Sequence, residues 1–300
     1  MTTIDAHEMS FTLHDGLGAR TIVRDDRLGR VETLVVAEAL SSAACEEAIR
    51  ARVTRLANVS LATPVHRVAR VGGQLHVTSA AIDGLRLSAM LEQLEAGSVE
   101  LPDSGILELV SRVFRAAADF QRATGQLGHG ALNPAHLVLT ERGAIALTDC
   151  VYASALESLE WSRERLWHTF GFAMPSAAGF VRFDGRSDVT QLGALALAFL
   201  LRRPLRSTDY PRNTAALVSE AAERFSEVGS PLRTWLQELL HLHSRATFPS
   251  AAEASRALTS LLDEAASRRA SYHIIGILGQ RMAARVPAMA ARVPAMAARA

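Results

Sequence analysis

The stretch that decides the fold is residues 128–151: Gly128-His129-Gly130-Ala131-Leu132-Asn133-Pro134-Ala135-His136-Leu137-Val138-Leu139, then Thr140 to Ala146, then Leu147-Thr148-Asp149-Cys150-Val151. An apolar triplet (Leu137 to Leu139), a polar turn carrying Gly143 and a second apolar run (Ile145 to Leu147) predict a small β-hairpin. A short loop with two histidines precedes it, and an acidic residue, Asp149, follows it.

Composition narrows what this stretch can do. The chain has 300 residues, 49% of them hydrophobic, enough to build a sizeable core. The formal net charge of +1 gives no argument for a nucleic-acid partner. All 32 residues counted as Lys+Arg are arginine. Chemistry that needs a lysine amine, whether a phosphate clamp, a Schiff base or a general base, is therefore excluded. Heavy Arg and Ala usage suggests a GC-rich, bacterial source. The two cysteines, Cys45 and Cys150, are too few for a disulfide framework, and no His/Cys cluster has metal-site spacing. A reducing cytoplasm fits. Asp5 and Glu8 interrupt the N-terminus, which does not read as a signal peptide. The longest apolar run, Leu192 to Leu201, is too short to span a bilayer.

Outward from the opening stretch, three strands are expected between Phe11 and Leu40: Phe11-Thr12-Leu13, Thr21-Ile22-Val23, and Thr33-Leu34-Val35-Val36-Ala37. A helix over 41–57 and two strands, 64–68 and 75–78, follow. Residues 87–95 read as a short helix. Ile106, Leu109, Val110, Val113, Phe114, Ala117 and Phe120 form the apolar stripe of a long one. Leu156, Leu159, Arg163, Leu166, Trp167 and Phe170 recur at helical spacing and predict one helix across 152–171. Residues 189–201 read as a buried central helix, with further helices at about 213–226, 231–243 and 250–265.

This layout resembles a eukaryotic-like, bacterial-type Ser/Thr protein kinase domain over residues 11–265. The opening stretch is similar to the family's H-R-D-L-x-x-x-N catalytic loop, hairpin and D-F-G motif. Ser187-Asp188-Val189-Thr190-Gln191-Leu192-Gly193 is similar to its S-D-V-x-x-L-G helix, which implies that Asp188 binds the catalytic-loop backbone. Gly16 and Gly18 sit where a glycine-rich loop would begin. The implied fold is α+β and two-lobed. A flexible N-terminus (1–10) leads to a β-rich N-lobe with one main helix (11–82), a mostly helical C-lobe (83–265) and a basic low-complexity tail (266–300).

The resemblance also implies that the chemistry is degenerate. The family's phosphate-clamping lysine aligns with Glu38, and its helical glutamate partner with Val53. The catalytic aspartate aligns with Ala131, the loop cation with Asn133 and the second Mg²⁺ ligand with His136, an imidazole where an oxygen ligand is wanted. Asp149 keeps the metal-binding position, although as a residue it could equally cap a loop. His129 reads as a core residue and Cys150 as a small core filler. His136 and Asp149 are two ligands without a third, so no metal site is assigned. Met174-Pro175-Ser176 lacks the family's glutamate, and Phe248-Pro249-Ser250 lacks the arginine that would pair with it.

The expected function is a catalytically inactive regulatory or scaffolding module that binds a protein partner and needs no cofactor. One alternative is an atypical kinase that retains weak ATP binding through Gly16, Gly18 and Asp149. A second is an adaptor acting through the tail, where Ala-Arg-Val-Pro-Ala-Met-Ala occurs at 284–290 and again at 291–297. Arg281, Arg285, Arg292 and Arg299 would then touch an anionic membrane.

Overall fold

The computed structural model describes residues 12–176, 179–242 and 247–264. β1 (Thr12–Asp15), β2 (Gly18–Asp25), β3 (Gly29–Val36), β4 (Val65–Val71) and β5 (Gln74–Ala80) form an antiparallel sheet in the order β1-β2-β3-β5-β4. The β2/β3 register pairs Arg20 with Leu34 and Ile22 with Glu32. Because side chains alternate across a sheet, Arg20 and Glu32 share a face with Leu34 and Val36. That face points inward, and all four residues are buried. The helix α1 (Ala43–Leu56) begins at Ser42, whose hydroxyl accepts from the Cys45 N–H at 3.1 Å.

One expectation about this lobe is corrected. β3 stops at Val36, and Glu38 lies beyond it in an exposed 3₁₀ turn, so the acid on the inner face of β3 is Glu32. A strand shows its period in sequence but not its end. On α1 the buried charged residue is Arg52, beside the half-buried Val53.

The second lobe is helical: α2 (Leu87–Glu95), α3 (Asp103–Ala123), α4 (Ala153–Glu157), α5 (Arg163–Phe170), α6 (Gly185–Leu201), α7 (Thr214–Arg224), α8 (Gly229–Leu239) and α9 (Ala251–Glu264). Every residue of α6 from Ser187 to Leu201 is buried, as expected of a helix that is apolar all round. β6 (Gly84–Arg86), β7 (Leu137–Thr140) and β8 (Ile145–Leu147) make a second sheet in that order, with β7 and β8 as the hairpin read from sequence.

The single helix expected over 152–171 is two. Glu160 adopts a left-handed backbone at φ 51° between them, and Ser162 starts α5 by accepting from the Arg165 N–H at 3.2 Å. A serine ahead of Arg163-Glu164-Arg165 is an N-cap signal that the apolar spacing overrode. Among the described residues no helix is long and apolar enough to cross a membrane. Phe11, the repeat and Arg281, Arg285, Arg292 and Arg299 lie outside the described residues.

Asp184 caps α6 by accepting from the Arg186 and Ser187 N–H groups at 2.9 and 3.1 Å. Asp184→Ala should lower stability by about 1 kcal/mol in urea unfolding, with native helix content retained. A variant as stable as the parent would remove the capping account.

Candidate functional site

The loop of residues 128–136 hangs from α6. Asp188 accepts from the His129 and Gly130 N–H groups, both at 2.7 Å, and from the Gln121 amide at 2.9 Å. Burial pushes its carboxyl up to about 6 even though these donors favour the ionised form. One turn along, Gln191 accepts from Leu132 N–H at 2.8 Å and donates to Gly130 O at 3.3 Å. From the N-lobe, Arg52 donates to the Cys150 carbonyl at 2.5 Å and to the Gly128 carbonyl. Backbone groups of a buried loop need such partners, and here side chains of α6 and α1 provide them, with Gln121 of α3 holding Asp188.

The residues aligned with the catalytic positions are themselves struts. Ala131 is fully buried. Asn133 accepts from Ala135 N–H at 2.8 Å and donates to the Phe170 carbonyl at 3.0 Å, tying the loop to α5. His136 is 1% exposed, with Nδ1 2.7 Å from the Ala131 carbonyl and Nε2 3.5 Å from an Asp15 carboxylate oxygen. His129 packs against Phe120 at 5.4 Å between ring centroids, and burial pushes its imidazole down to about 3, so it stays neutral. The Cys150 thiol is pushed up to about 12 by burial, consistent with an inert core group.

Between the lobes lies an ion cluster that the sequence reading missed. Arg20, 2% exposed, reaches Asp15 at 2.5 Å, Glu32 at 2.6 Å and Asp149 at 3.0 Å. Arg86 adds a second cation against Glu32 and also donates to the Ala135 carbonyl. The second Asp149 oxygen accepts from the Thr148 hydroxyl at 2.7 Å, and Asp149 holds a left-handed backbone at φ 65°. Burial alone would raise the carboxyls of Asp149 and Asp15. Arg20, His136 and Arg86 instead hold Asp149 below the ordinary carboxylate range, and His136 with Arg20 does the same for Asp15. The available signal was a charged residue on the apolar face of each of two paired strands, legible only once the strand register is known.

The β1–β2 turn closes over this cluster. A Cβ added at Gly16 would overlap the Thr169 carbonyl, so the turn packs directly on α5. Gly18 has φ 147°, a region L side chains rarely adopt, and lies against the Val35 carbonyl. Leu17, fully buried, accepts from Ala37 N–H at 2.7 Å. Of the three residues aligned with nucleotide binding, Asp149 lines the cavity at the cluster, of about 10 Å³, with Arg20, Glu32 and Tyr152, while Gly16 and Gly18 are not in its lining. Among the described residues no group of three or more His, Cys, Asp or Glu could hold a metal ion.

No protein-family model matches the chain, and no curated protein matches it in sequence. Solved structures do match. The kinase domain of PknI from Mycobacterium tuberculosis is 20% identical at a TM-score of 0.54, covering 84% of this chain and 94% of its own. Its double mutant reaches a TM-score of 0.59 at 18% identity, over 87% and 99%. The kinase domain of maize sucrose-induced receptor kinase 1, bound to AMP-PNP, gives 0.60 at 16% identity, over 87% and 97%. At such identities the likeness speaks for the fold: this is a two-lobed, protein-kinase-like domain.

Removing Arg20 would leave buried carboxylates without a counter-charge. Arg20→Met should therefore cost about 3–5 kcal/mol at pH 7. In the parent, Asp15 and Asp149 are held below their ordinary value of 3.8, so their stabilisation is complete above about pH 4 and is lost as pH falls further. In the variant, Asp149 loses the largest of the interactions that hold it down against burial, and its protonation relieves the penalty as pH falls. The parent–variant difference in denaturant unfolding should accordingly shrink between pH 7 and pH 4. An equal difference at both would mean that Arg20 acts by packing alone.

Proposed function

We propose that this protein-kinase-like domain is a pseudokinase, a catalytically inactive regulatory or scaffolding module that binds another protein. The observation that carries the reading is the interlobe cleft, where Arg20 is ion-paired with Asp15, Glu32 and Asp149 and Gly16 packs on α5. Ligand pockets usually offer about 300–1,000 Å³, and a cavity of about 10 Å³ holds roughly one water.

The fold family implies a magnesium nucleotide, and the residues present do not fit one. Asp149, the aligned metal ligand, has one oxygen on Arg20 and the other on Thr148. His136 offers an imidazole against Asp15, where Mg²⁺ favours oxygen. The aligned proton acceptor is the methyl group of Ala131, fully buried. Arg20 is the cation nearest these groups, and releasing it to a phosphate would take an ion-pair partner from three buried carboxylates. No phosphoryl-transfer step is derived through such a site. With this reading the role falls to surfaces: Phe180, 81% exposed between α5 and α6, is an apolar group of the size that anchors a protein contact.

Thermal unfolding with ATP, alone and with Mg²⁺ or Mn²⁺, tests the reading. The melting temperature should not move, and phosphate release in the same samples should match buffer. Nucleotide at about 100 times its Kd would add about 2.7 kcal/mol. A metal-dependent rise of that order would overturn the empty-cleft reading and favour an atypical, nucleotide-binding kinase.

A further inference from the structure

The inner face of the N-lobe sheet carries polar groups that the ion cluster leaves unused. Strand pairing sets Arg20 opposite Leu34 and Leu34 opposite Val77, and one row along sets Glu32 opposite Ser79. Cross-strand partners and positions two apart share a face, so all five side chains turn toward the C-lobe. They line one side of the small cavity between the lobes, and Asp149 to Tyr152 line the other.

Two groups at this cavity lack a partner. Arg20 commits Nε to Asp15 and Nη1 to Glu32 and Asp149, whereas its Nη2 is buried with no hydrogen-bond partner among the described residues. A stranded donor on a buried guanidinium is costly. Tyr152 is 1% exposed, and no described residue bonds its hydroxyl. A buried tyrosine hydroxyl ordinarily has a partner. The cavity is the space these two residues share, and Ser79 and Thr63 add hydroxyls to its wall. The Thr63 proton is already given to the Leu147 carbonyl at 2.9 Å.

Size and charge select the occupant. About 10 Å³ is close to the least space that admits one water. A cation there would lie against the Arg20 guanidinium, and an anion against Glu32 and Asp149, so a neutral molecule fits. Water can accept from a guanidinium and donate to hydroxyl oxygens, and buried waters make about three such bonds. We propose that one water is bound in this cavity and bridges the lobes. It accepts from Arg20 Nη2 on the N-lobe side, bonds the Tyr152 hydroxyl on the C-lobe side, and takes the Ser79 hydroxyl as its third partner. The water then uses the last donor of Arg20 and belongs to the contact that keeps the lobes closed. It sits in the cleft that the pseudokinase reading concerns, but its test contains no nucleotide, so either can fail alone.

Magnetisation transfer from water, measured by NMR on the full chain, tests this together with a crystal structure that resolves ordered water. The methyl groups of Val65, Val77 and Val151, which line the cavity, should receive transfer with the sign of a long-lived water. Those of Val218, fully buried on α7, should receive none. The density should show one water within hydrogen-bond distance of both Arg20 Nη2 and the Tyr152 hydroxyl. Tyr152→Phe keeps the ring and removes one bond, so the transfer at Val77 should fall about tenfold. Unchanged amide exchange in α6 would show that the variant is folded. A dry cavity, an ion in place of the water, a water that touches only one lobe, or transfer that Tyr152→Phe leaves unchanged overturns the proposal.

Discussion

A guanidinium buried among three carboxylates is the constraint around which this molecule is arranged. Arg20 is 2% exposed, and a cation so placed is tolerable only if its partners are close and fixed. Those partners come from the β1–β2 turn, from β3 and from the far lobe, in Asp15, Glu32 and Asp149. To keep them in reach, the turn must lie low enough for Gly16 to touch Thr169, and the lobes must stay closed. The small residual cavity follows from that arrangement.

The frame of the loop and the residues aligned with catalysis answer to different forces. Asp188, Gln191 and Arg52 satisfy buried backbone groups of residues 128–132 and 150, and losing any of them would strand polar atoms away from water. That requirement persists whatever the domain does. At the positions aligned with catalysis the residues serve packing and tethering: Ala131 fills space, Asn133 ties the loop to α5, and His136 links the loop to Asp15. The segment after Asp149 behaves likewise. The Tyr210 hydroxyl donates to the Met174 carbonyl at 2.6 Å and Arg163 to the Pro175 carbonyl at 2.6 Å, contacts that hold this region in place.

The sequence by itself determined the kinase-like architecture, because each of its signals is local. Period-2 runs became β2, β3 and β5, the stripe from Ile106 to Phe120 became α3, and Ser187 to Gly193 announced both the central helix and the role of Asp188. The absence of lysine was equally a fact of sequence. Local signals misled where a boundary mattered. Glu38 lies past the end of its strand, and the helix expected across 152–171 breaks at Glu160 and Ser162.

The identity of the cleft's charges was left to the tertiary structure. Arg20 and Asp149 are 129 residues apart, and nothing in the spacing of either residue encodes that they meet. Which face of β2 turns inward depends on the register between β2 and β3, and which acid answers Arg20 depends on where the lobes close. Those are properties of the assembled core: burial removes the water that would otherwise solvate each charge separately, and only then does the choice of partner carry a large energy.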